Sequence, residues 1–250
     1  LMVEFIDDDL DVARKKLKDL ESLIKLDNQN NDFTAYENLN DQKAVFEIRK
    51  AGLNILMSMK GDKKGVAFIE DCAVTLENLA DYTERLRDVF RKYNTEGLFY
   101  AHASVGTLHV RPILNAKSEQ DIKNMKAIAQ EAFAMVKEYK GSHSGEHGDG
   151  IVRSEFHEMM FGKKIVGAFE EIKDTFDPKG LLNPGKIVRA FKSDDRTLMR
   201  YKPGYKAENI YTHYDWSAWG QLSDAVEMCN NNGACRKLES GVMCPSYSVT

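Results

Sequence analysis

The chain has 250 residues, 42% hydrophobic and 30% charged, enough for one substantial core or a domain plus part of another. A net charge of −4 without a basic block gives no footing for nucleic acid, and no apolar run approaches the roughly eighteen residues of a membrane span. The start, Leu1-Met-Val-Glu-Phe5, has neither a charged n-region nor an apolar h-region, so no secretory leader is expected.

Residues 2–6 form a short apolar run predicted as a strand, as though the chain were cut from something longer. Asp7, Asp8 and Asp9 then offer an N-cap, and Leu10, Ala13, Leu17, Leu20 and Ile24 mark one face of a helix. The Asn-rich stretch 28–32 breaks that helix, and residues 33–36 read as a returning strand. A helix over 43–56, interrupted at Gly52, carries Arg49, whose guanidinium suits a substrate carboxylate or solvent equally well. After the turn 61–65, residues 66–70 (Val-Ala-Phe-Ile-Glu) predict a strong strand. A second amphipathic helix runs through Leu76, Leu79, Ala80, Thr83, Leu86 and Phe90.

Residues 98–113 predict a hairpin with Val105-Gly106 as a two-residue loop. That register sets His102 directly across from His109, on one face, with Cβ atoms ~5 Å apart. Two imidazoles so placed are able to share a metal ion. The clearest helix spans 121–140, with Ile122, Met125, Ala129, Ala132, Val136 and Tyr139 spaced by threes and fours. These units predict an α+β layer fold: a mostly antiparallel sheet with helices on one face, ferredoxin-like in arrangement.

Residues 141–150 read Gly-Ser-His-Ser-Gly-Glu-His-Gly-Asp-Gly, a loop whose glycines permit tight backbone. Glu146 adds a carboxylate to the two imidazoles, a His2Glu set with coordination positions left for water or substrate. His147, beside a ligand, is placed to act as a base on whatever the metal binds. A surface loop that only caps backbone is the plainer alternative. A helix with Ile165, Val166, Phe169 and Ile172 apolar stops at Asp177-Pro178, and Asn183-Pro-Gly-Lys186 follows, either a turn or a loop that meets an anionic group. Residues 191–210 look like a linker. Cys72 reads as a small buried hydrophobe, and His143 and His157 carry no assigned role.

A short helix is predicted over 222–228, followed by Cys229, Cys235 and Cys244-Pro245. Bacterial ferredoxins use C-x2-C-x2-C-x3-C-P. Here Cys229 and Cys235 have the spacing of the first and third positions, Asn232 stands in the second, and the Cys-Pro comes later. Iron–sulfur ligation, a zinc knuckle or unligated thiols all fit, in a reducing compartment.

Three stretches together carry a family resemblance: His102-Ala-Ser-Val-Gly-Thr-Leu-His109-Val-Arg-Pro112, Ser144-Gly-Glu-His-Gly-Asp-Gly150, and Asp177-Pro-Lys-Gly-Leu-Leu-Asn-Pro-Gly-Lys186. The chain resembles the flavin-linked oxidases that include D-lactate dehydrogenase, glycolate oxidase and D-2-hydroxyglutarate dehydrogenase, over their C-terminal, substrate-side domain. It looks closest to the long form in which an iron–sulfur domain follows. The resemblance implies FAD, held mainly on an N-terminal domain outside this sequence, with Asn183 and Lys186 as cofactor contacts. It implies a divalent metal, zinc or manganese, on His102, His109 and Glu146, with His147 as base and Arg49 as the substrate-binding arginine. It also implies a 4Fe-4S centre, incomplete here, opening at Cys229, Cys235 and Cys244.

The expected organisation is residues 1–192 as the substrate and metal domain, 193–215 as linker, and 216–250 as the start of the iron–sulfur domain. Expected partners are a small 2-hydroxy acid and an electron acceptor, with a homodimer as an option. The expected location is the cytoplasm, peripheral membrane association through the acceptor being an option. Two rival functions stay open: a non-catalytic metal- and substrate-binding module, and a zinc hydrolase working through the same three ligands.

Overall fold

The computed structural model describes residues 2–26, 33–57 and 59–229. The chain divides into two compact units, residues 1–54 and 55–250. In the first, α1 (Leu10–Leu26) begins after the predicted aspartates, where the Asp9 carboxylate accepts the Asp11 N–H at 2.9 Å. Arg14 reaches Glu37 at 2.9 Å, and α2 (Leu39–Met57) follows, running on through Gly52. Residues 2–6 and 33–36 are not strands, because among the described residues neither run finds the hydrogen-bonded neighbour that makes a strand.

The second unit is built around one long strand. β1 (Lys63–Gly65) and β2 (Cys72–Ala73) both pair antiparallel with β4 (Thr107–Asn115), at opposite ends of the same edge. β3 (Gly97–His102) pairs with the other edge of β4. The predicted strand over 66–70 is therefore a correction. The chain leaves the ladder there and folds inward, burying Phe68 and Ile69, and turns at Asp71, whose φ of 63° lies in the left-handed region that Asp tolerates. The apolar run is real, but it feeds the core from a turn.

Alternation along the hairpin gives the sheet two different faces. Phe99 and Ala101 of β3 join Leu108, Val110 and Leu114 of β4 on the core side. There they meet α3 (Leu76–Lys92) through Tyr82, Leu86 and Phe90, and α4 (Glu119–Glu138) through Ile128, Phe133 and Val136. Burying an aliphatic or aromatic side chain of this size is worth roughly 1.5–3 kcal/mol, so this layer holds the unit together. The opposite face carries Tyr100, His102, Thr107, His109 and Arg111. This is an α+β fold with helices on one side of an antiparallel sheet.

The hairpin register differs from the expectation by two residues. His102 pairs with Thr107 and His109 with Tyr100, because the loop takes in a turn of 3-10 helix, Ala103–Val105, before Gly106. Gly106 sits at φ 69°, and a Cβ there would lie 1.8 Å from the Val74 carbonyl oxygen. A slip of two preserves the face, so the histidines become diagonal neighbours with ring centroids 5.2 Å apart.

Beyond α4, the loop 141–149 leads to α5 (Gly150–Ser154), α6 (His157–Phe161) and α7 (Lys163–Phe176), with α8 (Leu222–Glu227) near the end. Residues 193–202, read as the start of a linker, are tied down. Ser193 donates to Glu155 at 2.8 Å through its N–H and Lys126 holds Asp194 at 2.8 Å. The buried Arg196 pairs with Glu119. No helix among the described residues is long and apolar enough to cross a membrane.

Candidate active site

Four side chains converge where the hairpin meets the Gly-rich loop. Oε1 of Glu146 lies 3.1 Å from Nε2 of His109, 3.3 Å from Nε2 of His147 and 3.8 Å from Nε2 of His102. One carboxylate oxygen thus faces three imidazole nitrogens. The His102, His109 and Glu146 ligand atoms lie within 4.8 Å of one another, a spacing that suits a single divalent ion. His109 is buried at the base of this group, while His102, Glu146 and His147 are exposed. His109 and His147 stack at 5.1 Å between ring centroids.

Burial lowers the pKa of His109, against the pull of Glu146 and Glu70, and so favours the neutral imidazole that ligates metal. Its Nδ1 has no hydrogen-bond partner and stands 3.9 Å from Oε1 of Glu70. Glu70 is itself committed. Tyr100 donates to it at 2.6 Å and Arg111 at 2.8 and 3.0 Å. Burial alone would raise the Glu70 carboxyl, but those donors outweigh it and leave it lowered, hence ionised. The Tyr100 ring also stacks on His109 at 4.6 Å. Glu70, His109 and His147 form an alternative set of ligand spacing. Because the Glu70 oxygens already accept these donors, Glu70 fits better outside the ligand set, as a negative charge 3.9 Å behind His109.

The loop is positioned by Asp71. Its carboxylate accepts the backbone N–H of Glu146 at 2.8 Å and of His147 at 2.7 Å, and its carbonyl accepts the Gly145 N–H at 2.9 Å. Gly145 is needed for that approach, since a Cβ there would lie 2.8 Å from the same carbonyl oxygen. Arg153 closes the arrangement from below, donating to the Asp71 carboxylate and, at 2.9 Å, to the Glu70 carbonyl. Burial raises the Asp71 carboxyl, but the two loop amides and Arg153 prevail and its pKa is lowered. Sequence reading missed Glu70, Asp71, Tyr100, Arg111 and Arg153. The only local signal was an acidic pair closing an apolar run, and its partners lie far along the chain.

The same loop feeds a second group on its inner side. His143 and His157 are both buried, and each places Nε2 3.2 Å from a carboxylate oxygen of Asp149. Burial pushes His143 down to about 4. For His157 burial acts the same way but is outweighed by Asp149 and the Ile187 carbonyl, so its pKa is raised.

Of the residues singled out in the sequence, His102, His109, Glu146 and His147 are brought together. Arg49 belongs to the first unit, on an exposed stretch of α2. Lys186 donates to Asn183 at 3.3 Å, and neither shares a hydrogen bond or ion pair with the histidines. Cys229 is exposed, its carbonyl accepting from Arg200 at 3.0 Å, whereas Cys235 and Cys244 lie outside the described residues. Cys72 is fully buried in the core, as expected, and desolvation raises its thiol to about 12.

Comparison with known proteins places this geometry in context. The chain is 33% identical over 210 residues to D-2-hydroxyglutarate dehydrogenase of Haemophilus influenzae, covering 82% of the chain and 20% of that protein. It is 32% identical over 207 residues to the enzyme of the same name from Escherichia coli, again 82% of the chain and 20% of the relative. A D-lactate dehydrogenase of Archaeoglobus fulgidus is 30% identical over 149 residues, 60% of the chain and 31% of that protein. The chain thus spans about a fifth of the length of the first of these relatives. Residues 1–187 match the family model described as FAD linked oxidases, C-terminal domain. With three-quarters of its length inside that match, the chain belongs to the FAD-linked oxidases, as their C-terminal domain.

Proposed function

We propose that this chain supplies the metal- and substrate-holding half of an FAD-dependent dehydrogenase that oxidises a D-2-hydroxy acid to the 2-oxo acid. The observation that carries the reading is the single carboxylate oxygen of Glu146 facing the Nε2 atoms of His102, His109 and His147. His102, His109 and Glu146 would hold a divalent ion of the zinc or manganese class. A bound metal would lower the pKa of a substrate hydroxyl, and FAD would supply the hydride acceptor.

The remaining work falls to side chains of this chain. His147, exposed beside the ligand set, would take the hydroxyl proton at Nε2. Its backbone N–H, fixed by Asp71, keeps the residue beside Glu146 whatever its ring does. Arg49 would pair with the substrate carboxylate, and Asn183 with Lys186 would meet the cofactor. Electrons would pass on to an iron–sulfur acceptor that draws Cys229, Cys235 and Cys244 as ligands. Support comes from the relatives' names, which include D-2-hydroxyglutarate dehydrogenase and D-lactate dehydrogenase, and from the family itself.

The test is anaerobic mixing of the full-length flavoprotein with D-2-hydroxyglutarate, D-lactate or glycolate. Bleaching of the flavin by at least one of these acids, abolished by a chelator and restored by zinc or manganese, is the expected result. A flavin that stays oxidised with all three, metal present, contradicts the proposal.

A further inference from the structure

We infer that His143, Asp149 and His157 form a second metal site, separate from the first and buried, of the zinc class. Their ligand atoms lie within 4.8 Å of one another, the same spacing as in the exposed set. Both imidazoles are about 99% and 98% buried, and the mechanism proposed above uses neither.

Three observations point to a cation between these groups. His157 donates Nδ1–H to the Ile187 carbonyl at 2.8 Å, which leaves Nε2 turned to Asp149. That nitrogen faces Oδ2 of Asp149 at 3.2 Å, away from water, where a metal would take the place of its proton. Metal-bound histidines are oriented in this way, by a carbonyl on the far ring nitrogen. Next, Nε2 of His143 and Nε2 of His157 each sit 3.2 Å from Asp149, yet neither ring nitrogen has the alignment of a hydrogen bond. Two ligand atoms ~2.0–2.1 Å from a tetrahedral zinc stand a little over 3 Å apart, the separation that each imidazole shows to its own oxygen of Asp149, Oδ1 for His143 and Oδ2 for His157. Finally, both nitrogens of His143 lack any hydrogen-bond partner, as does Oδ1 of Asp149. Buried polar atoms left so are costly, and a metal would satisfy Nε2 of His143 and Oδ1 of Asp149 together.

The surroundings are built to hold the set. Phe133 and Phe161 stand edge-on to His143 at 5.3 and 5.6 Å, and Phe161 and Phe169 flank His157 at 5.5 and 6.5 Å. This aromatic wall excludes water from two ligands and leaves Asp149, partly exposed, as the side from which a metal and a fourth, solvent ligand arrive. Ile187 adopts φ 66°, unusual for a β-branched residue. Its backbone is used on both sides, the N–H going to Ser154 Oγ at 2.9 Å and the carbonyl to His157. Ile187 therefore ties the end of the loop over 177–187 to this cluster.

The experiment uses the full-length protein, stripped with chelator, reloaded with zinc and dialysed, with zinc counted per chain. His157→Gln and Asp149→Asn should each lower the count by about one. His102→Gln should lower it by about one independently, and the combination of His102→Gln with His157→Gln by about two. Counts for His157→Gln and Asp149→Asn that equal wild type would overturn the second site while leaving the first intact. Should those variants fail to fold, anomalous diffraction at the zinc edge from the unmutated, zinc-loaded protein decides. A peak among His143, Asp149 and His157 is expected, and its absence beside a peak at His102 and His109 overturns the inference.

Discussion

The ten residues from Gly141 to Gly150 feed two clusters of similar composition and opposite setting. Facing out, Glu146 and His147 join His102 and His109, where three of the four side chains are exposed. Facing in, His143 and Asp149 join His157 behind a wall of phenylalanines. The difference lies in what each set is free to do. The outer set has open positions and a spare imidazole, which chemistry on a ligand requires. The inner set has two buried histidines, one locked by a carbonyl, which suits holding the loop in shape. Asp71 and Arg153 stand between them, tying the outer loop's amides to the inner residues through one buried ion pair.

The largest loss is expected at the phenylalanine wall. Phe133 is fully buried and packs on both His143 and Phe156, with ring centroids 5.3 and 4.9 Å away. Phe133→Ala should cost about 3–5 kcal/mol in chemical unfolding and loosen the inner cluster with it. A loss below about 1 kcal/mol would mean the wall is not structural. Asp71→Ala should cost a comparable ~3–5 kcal/mol, because it strands the buried Arg153 and releases two amides. Glu70→Gln tests the outer set alone. With the negative partner of His109 gone, affinity at the His102–His109–Glu146 site should fall about 10–100-fold, read by competition with a chelating dye, while the fold persists.

The smallest effect concerns the loop under the inner cluster. Asp177 accepts the N–H groups of Leu181 and Leu182 at 2.9 Å and binds Lys173 at 2.6 Å. Lys173 first, then those amides, hold its pKa at about 2, below the ordinary 3.8. A depressed carboxyl stabilises the fold above its unfolded pKa, and that contribution vanishes as pH falls through the folded value. The stability gap between wild type and Asp177→Asn should therefore be full at pH above about 4 and close toward pH 2. A gap that is constant across that window in urea unfolding would show that charge is not what Asp177 supplies.

Much of this was legible in the sequence, for a physical reason. The helices α1, α3, α4 and α7 follow from apolar spacing, which depends only on local order. The two histidines fell on one face although the register was off by two residues, since a side-chain period of two forgives that error. Glu146 and His147 stood out because glycines flank them. What could not be read is whatever depends on distant pairing. Asp71 and the Glu146 amide are 75 positions apart, and no local pattern links them. Residues 66–70 misled because an apolar run fits a buried strand and a buried turn alike. His143 and His157 looked idle in sequence, since only the packing of α6 against the loop brings them to one carboxylate.

In the proposed reaction His147 takes a proton beside a metal that it does not bind. Flavin reduction by substrate in full-length His147→Ala, with metal content determined on the same sample, tests that role. The rate should fall by about 10²–10⁴-fold with metal at the wild-type level. An unchanged rate, or a metal content that falls along with it, would contradict the role assigned to His147.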